Sequence, residues 1–277
     1  MKKACIIGWP VKHSRSPLIH GYWLAQYGLA GSYTRVEVEP DRLGRFIAED
    51  MRREGFVGCN VTIPHKVPVM SLVDDVAEDA RAIGAVNTLW FDGSKLRADN
   101  TDVTGFMTHL DLSAPGWAKP KRPVLVLGAG GGARGIVYGL LRAGVDRIYL
   151  CNRTRANAEE IAKAFGSKVV AIDWNDARRV ASEVMLAVNT TSLGMHGHAE
   201  LAFDVAPLRD DCVVADIVYV PLETPLLAAA RTRGLRTVDG LGMLLHQAVP
   251  GFERWFGVRP SVTDELRSII VRDIEER

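Results

Sequence analysis

Val124-Leu125-Val126-Leu127-Gly128-Ala129-Gly130-Gly131-Gly132-Ala133 is the stretch on which the reading of this chain turns. Four consecutive apolar residues without polar alternation predict a strand buried on both faces. Gly128 to Ala133 then fits G-x-G-x-x-A, and residues 134–142 carry helical spacing. A glycine-rich turn in that context lets backbone N–H groups approach a pyrophosphate at a helix N-terminus. A merely flexible loop would not need a buried strand before it and a helix after it. Gly128, Ala129, Gly130, Gly131, Gly132 and Ala133 are therefore candidate dinucleotide-binding residues.

The next strand, over 147–151, ends at Cys151-Asn152-Arg153-Thr154-Arg155. An NAD site would place an acid here, to hold the ribose hydroxyls. This turn has two arginines and no acid. Guanidinium pairs with a 2′-phosphate and stacks on adenine, so the turn points to NADP, with Asn152, Arg153, Thr154 and Arg155 as candidates. The bland alternative is a solvated basic turn before a helix over 156–165. Strands over 168–172, 184–188, 212–218 and 235–238 and a helix over 226–233 continue the alternation, which means a parallel sheet covered by helices.

Upstream, strands are expected over 4–8, 33–38 and 56–63, and helices over 16–27, 41–53 and 75–83. A hairpin joins 86–91 to 95–98 around Asp92-Gly93. Ser113 to Pro120, with two prolines and a glycine, precedes the buried run, and residues 241–277 read as two helices. The fold class is α/β with two domains. One is an α/β domain over residues 1–102. The other is a Rossmann-type doubly wound parallel-sheet domain for NADP, residues 103–241.

Composition excludes several classes. Of 277 residues, 47% are apolar and 24% charged, which rules out a disordered or fibrous chain. Lys+Arg number 34 and Asp+Glu 33, so no whole-molecule field attracts nucleic acid. Cys5, Cys59, Cys151 and Cys212 are too scattered for a disulfide scaffold or a zinc site. His196 and His198 flank Gly197 with no third ligand at metal spacing, so no metal is expected. The first apolar run stops at Gly8-Trp9-Pro10, too short for a signal peptide, and no run approaches the ~20 residues of a membrane span. A cytoplasmic protein acting on a small molecule is expected, with no nucleic-acid or membrane partner.

Polar residues gather where strands of the first half end: His13-Ser14-Arg15-Ser16-Pro17, Asn60 to Lys66, Asn87-Thr88 and Asp99-Asn100-Thr101-Asp102. Singly, each has an ordinary reading, such as a helix cap at Ser14 or Ser16 or a solvated Lys66. Together, four such loops suit a small polyhydroxylated acid bound beyond the strand ends.

These loops carry a resemblance. Gly8-x-Pro10-x-x-His13-Ser14-x-Ser16-Pro17, Asn60-Val61-Thr62-x-Pro64-x-Lys66, Gly84-Ala85-Val86-Asn87-Thr88 and Asp99-Asn100-Thr101-Asp102-x-x-Gly105 are similar to motifs of the shikimate dehydrogenase family. So are the glycine-rich turn, Asn152-Arg153-Thr154, Asn189-Thr190-Thr191-Ser192-x-Gly194-Met195 and Asp239-Gly240-Leu241-Gly242-Met243-Leu244-x-x-Gln247, in order to about residue 250. The resemblance implies that residues 1–102 form a substrate domain, completed by the C-terminal helices over 242–277. It implies NADPH-dependent reduction of 3-dehydroshikimate to shikimate, by a monomer or homodimer. It implies Lys66 and Asp102 as the catalytic pair, and Ser14, Ser16, Asn60, Thr62, Asn87, Tyr219 and Gln247 as substrate residues. Glu78, Thr191, Ile217 and Gly240 join the cofactor residues. Lys66 is expected at a helix start, acting with Asp102 as one proton relay. Two positions depart from the family: Gly21 follows His20 where Asn is frequent, and Asn157 stands at the second basic position of the phosphate clamp, with Arg155 as its substitute. The rival readings are a quinate/shikimate dehydrogenase with broader substrate or NAD use, and a non-catalytic NADP-binding sensor that would lack the Lys and Asp pair.

Overall fold

Short apolar runs bounded by turns become twelve strands in two sheets among the described residues, Met1–Glu276 of this computed structural model. Arg277, the last residue of the expected completing segment, lies outside the described residues. The chain divides into two units, residues 1–102 with 247–276, and residues 103–246.

The first unit holds β1 Lys2–Gly8, β2 Gly31–Glu37, β3 Phe56–Val61, β4 Asp75–Val76, β5 Thr88–Asp92 and β6 Lys95–Asp99. Their order in the sheet is β2-β1-β3-β5-β6-β4. β1 runs parallel to β2 and β3, while β5 is antiparallel to β3 and β6, so this sheet is mixed. The β5–β6 hairpin closes on Gly93 at φ +61°, a conformation that suits glycine. Cys5 and Ile7 of β1 pack with Leu43, Phe46, Ile47 and Met51 from the helical stretch after β2. That stretch replaces the regular helix expected over 41–53. It opens as a 3₁₀ turn at Pro40–Arg42 and widens to π geometry over Phe46–Asp50.

The helix expected over 75–83 is corrected. Asp75 and Val76 pair with Arg97 and Ala98 as β4, and the helix spans only Glu78–Ile83, ending at Gly84 with φ +79°. Tertiary pairing overrides local propensity here. The helix Asp102–Ser113 has no counterpart among the expected elements; it buries Gly105, Phe106 and Leu110.

The chain rejoins the first unit within the helix Gly240–Phe256. Trp255 Nε1 donates to Leu89 O at 2.8 Å, and the indole fills the space beside Gly58 that any Cβ would need. Trp23 and Phe252 meet edge-to-face with centroids 5.3 Å apart, and Trp23 Nε1 donates to Ser261 O at 3.0 Å. Truncating one of these buried indoles would cost about 3–5 kcal/mol. The anchored helix carries Gln247 to the polar residues of this unit.

The second unit holds β7 Val124–Leu127, β8 Ile148–Cys151, β9 Val169–Ile172, β10 Leu186–Asn189, β11 Val213–Asp216 and β12 Arg236–Val238. The order is β12-β11-β10-β7-β8-β9, with every pairing parallel. Val124 and Val126 enter one core, Leu125 and Leu127 the other, the period-two pattern of a strand covered on both sides. Strand order reverses between β7 and β10. Such a switch point is where open parallel sheets bind ligands.

His20 of the first unit is fully buried and stacks 4.0 Å from Tyr33. Neither ring nitrogen has a well-formed hydrogen bond, and burial pushes its pKa down to about 3, opposed only by an interaction with Asn60. The folded state holds His20 neutral, whereas the unfolded chain takes up a proton below its ordinary pKa of 6.5. Stability is therefore lost as pH falls from about 6.5 toward 3. Between about pH 6.5 and 5 the wild type should lose roughly 2 kcal/mol more than His20→Phe, read from urea unfolding. Equal losses in the two proteins would contradict this account.

Candidate active site

Lys66 lies in the turn between β3 and the 3₁₀ helix Pro68–Leu72, not at the start of an α-helix as expected. Its direction comes from an ion pair instead: Nζ is 2.5 Å from Asp102 Oδ2. The two side chains are 30% and 24% exposed, which leaves them open to a small ligand yet partly shielded from bulk screening. Asp102 is the first residue of the helix Asp102–Ser113, and its N–H donates to Asn100 Oδ1 at 3.1 Å.

The second carboxylate oxygen, Asp102 Oδ1, accepts Asn87 Nδ2 at 2.9 Å. Asn87 has no freedom to turn its amide round. Its Oδ1 accepts Thr101 N at 2.8 Å and Thr88 Oγ1 at 3.0 Å, with Thr101 Oγ1 3.1 Å away. Only Nδ2 is left to face Asp102 and Gln247 Oε1, the latter at 3.3 Å. Thr101 Oγ1 also reaches Gln247 O at 2.8 Å, tying the C-terminal helix to the same cluster. Asn60 stands behind: its Oδ1 accepts Tyr33 Oη–H at 2.6 Å, and its Nδ2 faces Asn87 O at 3.1 Å and Thr88 Oγ1 at 3.2 Å. It is buried with its amide fully engaged.

Ser14 and Ser16 lie together at the start of the helix Ser16–Gln26. Ser14 Oγ accepts from Ser16 N at 3.3 Å and lies 3.2 Å from Ser16 Oγ. Arg15, not either serine, is the N-cap residue, and its side chain caps nothing. Arg35 fixes the turn by donating to Ser14 O from Nε at 2.9 Å and Nη2 at 2.5 Å. Thr62 approaches β1 so closely that a Cβ at Gly8 would lie 2.5 Å from its Cγ2. Gly21 is exposed with open space about it. Glu78 opens the helix Glu78–Ile83 in this unit.

The glycine-rich turn and its neighbours form a second group, in the other unit. Gly128 follows β7 at φ +106°, and a Cβ there would lie 2.6 Å from Thr191 Cγ2. Any other residue would meet both strain and collision. Gly130 and Gly131 face open space, and the helix Gly131–Arg142 begins without a side-chain cap. Uncapped first-turn N–H groups beside side-chain-free backbone fit a pyrophosphate. Ala129 N–H donates to Asn152 Oδ1 at 3.1 Å, and Asn152 Nδ2 donates to Thr154 O at 2.9 Å, which joins the turn to the loop after β8. A Cβ on Gly132 would lie 3.0 Å from Ile217 Cδ1, and one on Gly240 would strike the Ile217 carbonyl. Ala133 is buried. Tyr219 belongs to this unit, two residues beyond Ile217.

The two arginines differ. Arg155 is engaged by Asp173 at 2.5 Å and Glu159 at 2.8 Å. Arg153 is exposed and has no ion pair among the described residues. Asp216, at the end of β11, is 2% exposed; burial pushes its carboxyl up to about 6, against hydrogen bonds from Val218, Thr224 and Asn189. Among the described residues, no group of three or more His, Cys, Asp or Glu is placed to hold a metal ion.

Family models match along the chain: the shikimate dehydrogenase substrate binding domain over residues 6–89, shikimate / quinate 5-dehydrogenase over 117–198, and the shikimate 5′-dehydrogenase C-terminal domain over 240–264. A shikimate dehydrogenase (NADP(+)) of Azorhizobium caulinodans is 54% identical over 274 residues, 99% of this chain and 97% of that one. The chain belongs to the shikimate dehydrogenase family. The shikimate 5-dehydrogenase of Thermus thermophilus, solved with NADP(H) and shikimate, superposes with a TM-score of 0.87 at 32% identity, covering 99% of this chain and all of that one. A quinate dehydrogenase of Corynebacterium glutamicum, solved with NAD, superposes with 0.88 at 32% identity, over 98% and 99% of the two chains. The family's two activities therefore share one backbone, and side chains must separate them.

Sequence reasoning missed Thr88 and Thr101, which orient Asn87, and the Asn189–Asp216 pair. Thr88 and Thr101 stood inside quoted motifs. Asp216 stood as an acid within an expected buried strand, itself a sign of a buried polar role.

Proposed function

We propose that this chain reduces 3-dehydroshikimate to shikimate with NADPH, reversibly, in the aromatic branch of cytoplasmic metabolism. The observation that carries the reading is the Lys66–Asp102 pair, whose carboxylate accepts from Asn87, itself in contact with Gln247. NADPH, when bound, supplies the hydride that adds to the ketone carbon. Gly128 to Ala133, Asn152, Arg153, Thr191, Ile217 and Gly240 are the residues that would hold it.

As the ketone carbon gains hydride, the carbonyl π pair collects on oxygen as negative charge. Lys66 Nζ–H stabilises that oxygen and gives it a proton, leaving a neutral amine beside the Asp102 carboxylate. In oxidation the amine takes the proton back. Asp102 aims Nζ through one oxygen while Asn87 steadies the other. Ser14 and Ser16 hydroxyls are suited to the substrate carboxylate, and Thr62, Asn87, Asp102 and Gln247 to ring hydroxyls. Asn60, with its amide engaged, acts by holding Asn87 and Thr88. A site of this kind discriminates strongly against an analogue lacking a hydroxyl, because its polar groups would go unpaired. The four cysteines are buried and free, and Cys5 lies opposite Cys59 on adjoining strands, which suits a reducing compartment.

Lys66→Ala should lower kcat by about two to four decades, the span of general acid catalysis, with a far smaller change in the KM for shikimate. NADPH absorbance at saturating substrate reads this directly, and turnover within a few-fold of wild type would overturn the assignment. Cofactor choice is assigned to Arg153. Arg153→Ala should lower the NADPH-over-NADH ratio of kcat/KM by about tenfold or more, and Arg155→Ala by less, since two carboxylates engage it. A wild type that prefers NADH, or quinate to shikimate, would favour the quinate dehydrogenase reading.

A further inference from the structure

Asp216 is a buried carboxylate without a cation. No ion pair involves it among the described residues, and it is 2% exposed. What surrounds it is a set of donors from three segments. Oδ1 accepts Asn189 Nδ2 at 2.9 Å and Val218 N at 2.9 Å, and Oδ2 accepts Thr224 Oγ1 at 2.8 Å. Each segment leads somewhere useful. Asn189 ends β10, and its own Oδ1 accepts Thr191 N at 3.0 Å and Thr191 Oγ1 at 2.7 Å. Val218 follows Ile217. Thr224 caps the helix Pro225–Thr232, accepting from Leu227 N at 3.3 Å.

Thr191 and Ile217 are the side chains against which the glycine-rich turn rests. Thr191 Cγ2 would lie 2.6 Å from a Cβ on Gly128, and Ile217 Cδ1 3.0 Å from a Cβ on Gly132. Burying an unpaired carboxylate costs stability that an apolar residue would not. Its use here is geometric: only a carboxylate presents acceptor oxygens at both ends to donors arriving from three directions. An amide of the same shape would turn a donor toward one of them.

We propose that Asp216 is a positioning residue for the dinucleotide, setting Thr191 through Asn189 and Ile217 through the Val218 N–H. The proposal rests on the cofactor reading above and deepens it. No titratable side chain donates to the carboxylate; its partners are an amide, a hydroxyl and a backbone N–H.

The test is NADPH binding by fluorescence titration without substrate, on the full chain. Asp216→Asn should raise the Kd for NADPH about tenfold, the loss of a charge-assisted hydrogen bond. Shikimate binding measured by calorimetry should stay within about twofold, a change too small to count as lost affinity. Thr191→Val should also weaken NADPH binding, but should add less than about twofold on the Asp216→Asn background, because both act on one wall of the site. A merely structural role predicts that the two losses multiply. Should Asp216→Asn fail to fold, Asn189→Ala cuts the link to Thr191 while sparing the Val218 and Thr224 bonds, and should raise the Kd about fivefold. NADPH affinity within twofold of wild type in a folded variant, or multiplying losses, overturns the proposal. A wild type that binds NADPH leaves the cofactor reading standing in that case. A wild type that binds none overturns both.

Discussion

Donors from Thr88 and Thr101 converge on Oδ1 of Asn87, so its amide can turn only Nδ2 toward Asp102. One oxygen of that carboxylate is thereby fixed, and the other faces Lys66. Much of the first unit serves this arrangement. β5 carries Thr88 directly after Asn87, the β3–β5 pairing sets Asn60 opposite Thr88, and the indole of Trp255 anchors the helix that carries Gln247. An ammonium and a carboxylate distant in the chain are held at a set distance by neutral groups that do not titrate. Further charges would be worth little at this exposure, whereas hydrogen-bonded neutral groups fix geometry without adding to the burial cost.

The second unit applies the same logic to a different need. Its parallel sheet places a side-chain-free turn at the switch point, and the positive φ of Gly128 makes that turn specific to glycine. The walls of the turn, Thr191 and Ile217, sit at the ends of strands whose last residues, Asn189 and Asp216, bond to each other. Oriented neutral donors again do the positioning, here around a carboxylate that burial disfavours.

Local features were the legible ones. The run Val124 to Leu127, the glycines after it and the Asp92-Gly93 hairpin each announce their structure within a few residues. The parallel sheet followed from alternation alone. β4 was hidden because two residues carry no periodicity, and only pairing with β6 makes them a strand. The Lys66–Asp102 contact was available through family resemblance and not from spacing, since 36 residues separate the partners. Arg155 is a candidate phosphate ligand by type, and its surroundings were only half legible. Its i,i+4 partner Glu159 could be read from the sequence, but Asp173 comes from the far side of β9 and could not. The direction of Asn87's amide depends on hydroxyls brought in from Thr88 and Thr101, which no linear pattern encodes.

The central claim is that Lys66 and Asp102 work as one unit. A double-mutant cycle on kcat, with Lys66→Ala, Asp102→Ala and the pair together, tests it most directly. The account predicts that the double variant is within about tenfold of the weaker single variant, because removing either partner already disables the relay. Losses that multiply across the cycle would show two independent contributions and contradict it.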